Sequence, residues 1–196
     1  MRKLGLTGGI ASGKSVVAAM LRELGFDIIF ADDISRLLLE PGQAAYDEVI
    51  REFGREIVQA GGKIDRKKVA AIVFADRAKL DRLNGIIHPR VESQILEQFA
   101  EWERQGNVKV AFVEAALLVE AGYMKNLDGL IVTWCTPDQQ MARLKSRGMS
   151  EQDARARIAA QMPVEEKLKL ATYQIDCSGS IEETRQQVET LARHWK

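Results

Sequence analysis

The sequence predicts an α/β protein built on a parallel sheet with helices on both faces. Three observations carry that expectation. Short apolar runs of strand length alternate with helical patterns along the chain. The runs read as buried strands, as those of a covered parallel sheet do. A glycine-rich string, GLTGGIASGKS, sits between the first such run and the first helical pattern.

Taken in order, Lys3–Leu6 is expected as a first strand, and Ser15–Leu24 as a helix with Val16, Ala19, Met20 and Leu24 on one face. Gly25 ends that helix, and Phe26–Phe30 (FDIIF) reads as a second strand. From Asp33 to Gln105 the pattern is mostly helical, with breaks expected at Pro41-Gly42, at Gly61-Gly62 and at the His88-Pro89 step. Val108–Glu114 (VKVAFVE) and Gly129–Cys135 (GLIVTWC) are two further strands of buried type. Thr136 is placed to cap the next helix, with Pro137 in its first turn. A polar, arginine-rich segment covers Lys145 to Lys169, Tyr173–Cys177 reads as a last strand, and Ile181–Trp195 as a closing helix.

No repeat, low-complexity tract or linker divides the 196 residues. The expectation is one domain over 1–196, with a helical insertion at about 33–105 and a lid at about 145–169. With 46% hydrophobic and 29% charged residues the chain can bury a proper core. Lys plus Arg and Asp plus Glu balance at 28 each, so net charge steers the protein neither to nucleic acid nor to an acidic membrane. The short strand pattern that follows Met1-Arg2-Lys3 is expected to be too brief for a signal-peptide apolar core, and no apolar run approaches the ~20 residues of a membrane span. Cys135 and Cys177 are read as free buried thiols in a reducing compartment, and the location expected is the cytoplasm.

Gly8, Gly13, Lys14 and Ser15 satisfy G-x-x-x-x-G-K-[ST] between a strand and a helix, which is the context a phosphate-binding P-loop requires. Glycine permits the tight turn, so backbone amides from about Ala11 through Ser12, Gly13, Lys14 and Ser15 to Val16 are expected to face phosphate oxygens. The helix N-terminus adds positive potential. Lys14 is expected on the β- and γ-phosphates of a nucleoside triphosphate, and the Ser15 hydroxyl on Mg²⁺. A GTPase would need Asn-Lys-x-Asp late in the chain; Lys125-Asn126-Leu127-Asp128 has the wrong order. A short chain with a helical insertion and late arginines suits a small-molecule kinase, in which arginines close over the transferring phosphate.

Beyond the P-loop, the ordered motifs resemble the dephospho-coenzyme A kinase family from end to end. These are Ala31-Asp32 with Arg36, Pro41-Gly42, Phe53-Gly54, Ile64-Asp65-Arg66, Val73-Phe74 and Ile87-His88-Pro89. Leu117-Leu118-Val119-Glu120 follows, then Arg143, Arg147, Arg157-Ile158 and Gln161, then Ser178-Gly179-Ser180. The chain departs from that family's pattern at Phe30, Ala116, Ala11, Thr172 and Cys177, which stand for Asp, Pro, Gly, Asp and Asn. Ala11 is expected to be harmless if its φ stays negative. Phe30 removes a carboxylate near the metal or acceptor, and Cys177 an amide near the adenine loop.

The resemblance implies a five-stranded parallel sheet of order 2-3-1-4-5, as in nucleoside monophosphate kinases. It also implies transfer of the ATP γ-phosphoryl group to the ribose 3′-hydroxyl of dephospho-coenzyme A. Asp32 would orient and deprotonate that hydroxyl, against the alternative of a helix cap, with Asp33 a cap or surface residue. His88 would bind acceptor or pack; Leu117 would pack against the acceptor's adenine or the core; Glu120 would be a site residue or a solvated turn. Arg143 would clamp ATP phosphates through its guanidinium fork, with Arg147 on the same helix face. Two other readings stand beside it: a different small-molecule kinase, and a nucleotide sensor without catalysis. A monomer is favoured over an oligomer.

Overall fold

The computed structural model describes residues 1–195, the Phe74 side chain excepted. Five strands form one sheet: β1 (Arg2–Gly8), β2 (Asp27–Phe30), β3 (Val110–Glu114), β4 (Gly129–Trp134) and β5 (Tyr173–Asp176). Their order is β2-β3-β1-β4-β5, and every neighbouring pair runs parallel. The expected strand count, direction and order are all present. β1 lies between β3 and β4, so the loop leaving its C-terminal end emerges where parallel sheets place ligands.

Among the described residues nine α-helices accompany the strands: α1 (Lys14–Glu23), α2 (Ala31–Leu37), α3 (Tyr46–Phe53), α4 (Arg66–Phe74), α5 (Arg77–Gln105), α6 (Pro137–Ser146), α7 (Glu151–Ala159), α8 (Val164–Lys169) and α9 (Ile181–Ala192). The chain divides into two compact units, Met1–Phe30 with the chain from Phe99 onward, and Ala31–Gln98.

In the first unit, alternate strand residues build one core face. Leu4, Leu6, Phe112, Ile131 and Ile175 meet Val17, Ala18 and Leu21 of α1 and Val188 and Ala192 of α9. Period-two patterning in the strands and period-3.6 patterning in the helices bring these positions together. Trp195 completes the cluster, its ring 5.3 Å from that of Phe112 and 5.4 Å from that of Tyr173. On the other face Gly5 is hemmed in by Leu118, Leu127 and Leu130.

In the second unit, α4 is started by Asp65, whose carboxylate accepts from the Lys67 and Lys68 amides at 3.0 and 3.2 Å. The break expected at His88-Pro89 does not occur: α5 runs straight through Pro89. Proline lacks the N–H for the residue four back, Gly85, and its ring crowds that carbonyl. The glycine brings no side chain to the crowded turn, and the Arg90 guanidinium takes up the neighbouring Ile86 carbonyl at 2.6 Å. Among the described residues no helix is long and apolar enough to cross a membrane.

Candidate active site

The P-loop is shaped by contacts that leave no room for side chains at two of its glycines. A Cβ on Gly8 would stand 2.5 Å from the Thr133 carbonyl oxygen at the end of β4. Here the Ser12 and Thr133 hydroxyls meet at 2.7 Å, and Thr133 also donates to the Thr7 carbonyl at 3.3 Å. Gly13 has φ 96°, and a Cβ there would meet the Cys177 sulfur at 2.7 Å. Only glycine enters that left-handed turn without cost. Being the N-cap of α1, Gly13 also offers no side chain to the first-turn amides, the arrangement that suits an anion.

Two expectations about this loop are corrected. Ala11 does not keep a negative φ; it sits at 60°, the only non-glycine residue with positive φ among those described. The turn that the family closes with glycine is therefore held here against a Cβ. Nor do all amides from Ala11 to Val16 face outward. Ser12 N–H donates to Gly9 at 3.1 Å and Val16 N–H to Gly13 at 2.9 Å, which tightens the turn itself.

Lys14 forms an ion pair with Glu114, and both side chains are nearly buried at 11% and 5% exposure. Glu114 closes β3, in register with Leu6 of β1 and with Phe30 of β2. It is a site residue that the sequence reading missed. The available signal was an acidic residue ending an otherwise apolar strand. Phe30, half-buried against the core, has the Arg22 guanidinium 5.8 Å from its ring. The family's missing aspartate is thus replaced by an apolar ring with a carboxylate one strand away. Ser15 lies exposed in the first turn of α1.

Helix α6 braces the loop from above its carbonyls. It begins with a capping box in which Thr136 accepts from Gln139 N–H and the Gln139 side chain returns to Thr136 N–H. Gln140 then donates to the Ile10 carbonyl at 2.6 Å. Arg143 spreads its fork over two backbone oxygens, Ala11 at 3.2 Å and Cys177 at 2.7 Å. Its guanidinium is thereby brought to the P-loop. Arg147 is the C-cap of α6, one turn beyond Arg143, and exposed. Cys135 and Cys177 are free and buried. Burial holds the Cys177 thiol up at about 11, so it is protonated at neutral pH.

After β3, Leu118 is fully buried and Leu117 half-buried. Glu120 Oε1 pairs with Lys167 Nζ at 2.9 Å and accepts from Met162 N–H at 2.9 Å. Lys167 and Gln140 carried no signal in the sequence reading, because a lone Lys or Gln on a polar helix reads as surface.

In the helical unit Asp32 is exposed in the first turn of α2, which starts at Ala31 directly after β2. Asp33 does not cap the helix; it pairs with Arg36 on the surface at 2.8 Å. His88 lies midway along α5, half-buried, and desolvation lowers its pKa, favouring the neutral imidazole.

The dephospho-CoA kinase family model matches residues 2–183. The dephospho-CoA kinase of Carboxydothermus hydrogenoformans is 47% identical over 194 residues, covering 98% of this chain and 94% of that protein. A Thermus thermophilus protein of solved structure is 31% identical with a TM-score of 0.84, over 100% of this chain and 98% of its own. The solved dephospho-CoA kinase of Campylobacter jejuni is 29% identical with a TM-score of 0.73, over 99% and 97%. The strand order, the P-loop cradle and these likenesses agree: the chain belongs to the dephospho-CoA kinase family.

Proposed function

We propose that this enzyme moves the γ-phosphoryl group of ATP to the ribose 3′-hydroxyl of dephospho-coenzyme A, with the P-loop as donor cradle and Asp32 as proton acceptor. The observation that carries the donor half is the P-loop itself, turned by Gly8 and Gly13 at the C-terminal end of β1. Amides of its inner turn and the N-terminus of α1 bind phosphate oxygens. Lys14 exchanges Glu114 for the β- and γ-phosphates, neutralising the charge that spreads over the phosphoryl oxygens in a loose transition state. Arg143, already at the Ala11 carbonyl, adds a second cation on the same side.

The chemistry of the donor set fits Mg²⁺: Ser15 offers a hydroxyl and Glu114 a carboxylate, both hard oxygens. Among the described residues no group of three or more His, Cys, Asp or Glu side chains could hold a metal, so the ion would depend largely on nucleotide oxygens and water. When bound, it supplies charge neutralisation between the phosphates.

On the acceptor side, the exposed Asp32 carboxylate takes the hydroxyl proton as the new bond to phosphorus forms. Neutral His88 and half-buried Leu117 provide polar and apolar contacts to the acceptor. Glu120, expected as an acceptor contact, has an oxygen already engaged by Lys167 and Met162, and supports the loop on which Leu117 sits. The free buried thiols suit a reducing cytoplasm, and a monomer is the state proposed.

The test is ADP release with and without dephospho-coenzyme A, beside a panel of nucleoside monophosphates. Acceptor-dependent release with dephospho-coenzyme A alone is expected. Release with a monophosphate instead would make it another kinase, and ATP binding with no acceptor-dependent release would make it a sensor.

A further inference from the structure

Lys167 of α8 is 0% exposed. A buried ammonium is tolerated only where its N–H groups find partners. Here they are the Ala116 carbonyl at 2.8 Å and the Glu120 carboxylate at 2.9 Å. Neither partner is on the lid; both lie in the loop that leaves β3.

Each partner has a second bond. The Ala116 carbonyl also accepts from the Thr7 hydroxyl at 3.3 Å, just ahead of the P-loop. The same Glu120 oxygen accepts from Met162 N–H at 2.9 Å, in the elbow between α7 and α8. The adjoining Gln161 places its Oε1 on the Ile10 amide at 2.8 Å, inside the P-loop. The contacts therefore close a circuit that leaves the P-loop segment at Thr7 and returns to it at Ile10. It passes through Ala116, Lys167, Glu120, Met162 and Gln161.

We propose that Lys167 is a positioning residue for phosphoryl transfer, its buried ammonium holding Glu120 so that the elbow Gln161–Met162 stays in register with the P-loop. This rests on the kinase reading above. Met162 lies beyond the end of α7, where its N–H needs an acceptor outside the helix. An ionised Glu120 is a strong one, and it is oriented by the cation behind it. Without that cation Glu120 turns to water, the elbow loses its anchor, and the closed lid becomes the rarer state. ATP still binds the open P-loop, but the closed arrangement needed for transfer forms less often.

Lys167→Met keeps most of the side-chain volume and removes the charge; Glu120→Gln keeps an acceptor oxygen and removes its charge. For Lys167→Met, kcat should fall by about tenfold while the Kd for ATP alone stays within roughly twofold, as a shifted closure equilibrium requires. Hydrogen exchange over residues 160–165 should quicken by about tenfold, with exchange in β1, β3 and β4 unchanged. Lys167→Arg should recover part of both losses. Glu120→Gln should move both readouts the same way by a smaller factor, and it carries the test if Lys167→Met does not fold. A wild-type value for either readout in a folded variant overturns the proposal. So does exchange that quickens equally in the strands, the mark of a merely structural cation. If the wild-type protein shows no acceptor-dependent ADP release, the kinase reading fails by itself, and the exchange comparison still decides whether Lys167 anchors the elbow.

Discussion

In the sheet-bearing unit Lys14 meets Glu114 and Lys167 meets Glu120, with the two cations 11% and 0% exposed. In the helical unit Arg36 meets Asp33 with side chains 61% and 66% exposed. The first two pairs join a helix to a distant strand end or loop. Truncating Glu114 or Glu120 would leave a buried ammonium without its carboxylate, and truncating Lys14 would strand the buried Glu114, whereas Glu120 without Lys167 can turn to water. The third spans three residues of one helix and contributes little, because solvent screens it. The difference separates preorganisation from display. Around the P-loop the charges are held by protein partners, whereas Asp32 stands exposed in the first turn of α2.

The largest effect should come from breaking the fixed side. Lys14→Ala should lower turnover by roughly 10²–10³-fold, the usual loss when one preorganised donor to developing charge is removed. It also strands Glu114, which should cost roughly 3 kcal/mol in urea unfolding. Adding Glu114→Gln should return much of that stability and none of the turnover. Recovery of turnover in the double variant would show that Lys14 serves the fold and not the phosphate.

On the displayed side, Asp32→Asn should cut turnover by about 10²-fold, as loss of a general base does. Stability and ATP affinity should hardly change, since the carboxylate is exposed. Titration of ATP in the variant sharpens the point: weakened ATP binding with turnover kept at saturation would move Asp32 to the metal's surroundings.

Phe30→Asp probes the border between the two regimes. It restores the family's carboxylate, but places it in register with buried Glu114 and removes a packed ring. Stability should drop by roughly 1–3 kcal/mol, with no gain in turnover at limiting Mg²⁺. A several-fold gain would mean that Glu114 does not cover for the missing residue.

The smallest effect belongs to Ala11→Gly. Relief of a non-glycine residue at φ 60° is worth about 1–2 kcal/mol, and the extra freedom of glycine in the unfolded chain returns about 0.4–1 kcal/mol of it. A net gain of roughly 0.5 kcal/mol is expected by denaturant titration. A loss would show that the Ala11 methyl group makes contacts that matter more than its strain.

Much of this protein was legible because its signals are local. The strand at Gly129–Trp134, the Thr136 cap and the P-loop each depend on neighbouring residues, and each lies where the sequence suggests. The Pro89 step misled because proline's cost to a helix is a local penalty, and packing along a 29-residue helix outweighed it. Ala11 misled for the opposite reason: its conformation is imposed by the loop around it. Glu120 and Arg143 could be singled out by type, but not the backbone groups they hold.

The class of chemistry is written along the chain: alternating buried strands, a phosphate loop between strand and helix, and an ordered set of motifs that name a family. Spacing fixes these because strands, turns and helix caps are bonded among residues close in the chain. Long-range packing is what sets Glu114 against Lys14, lays Arg143 across Ala11 and Cys177, and makes Lys167 a buried cation. A charge on a polar helix carries the same letter whether it meets water or a carbonyl, and burial is settled by which distant segment the fold lays against it.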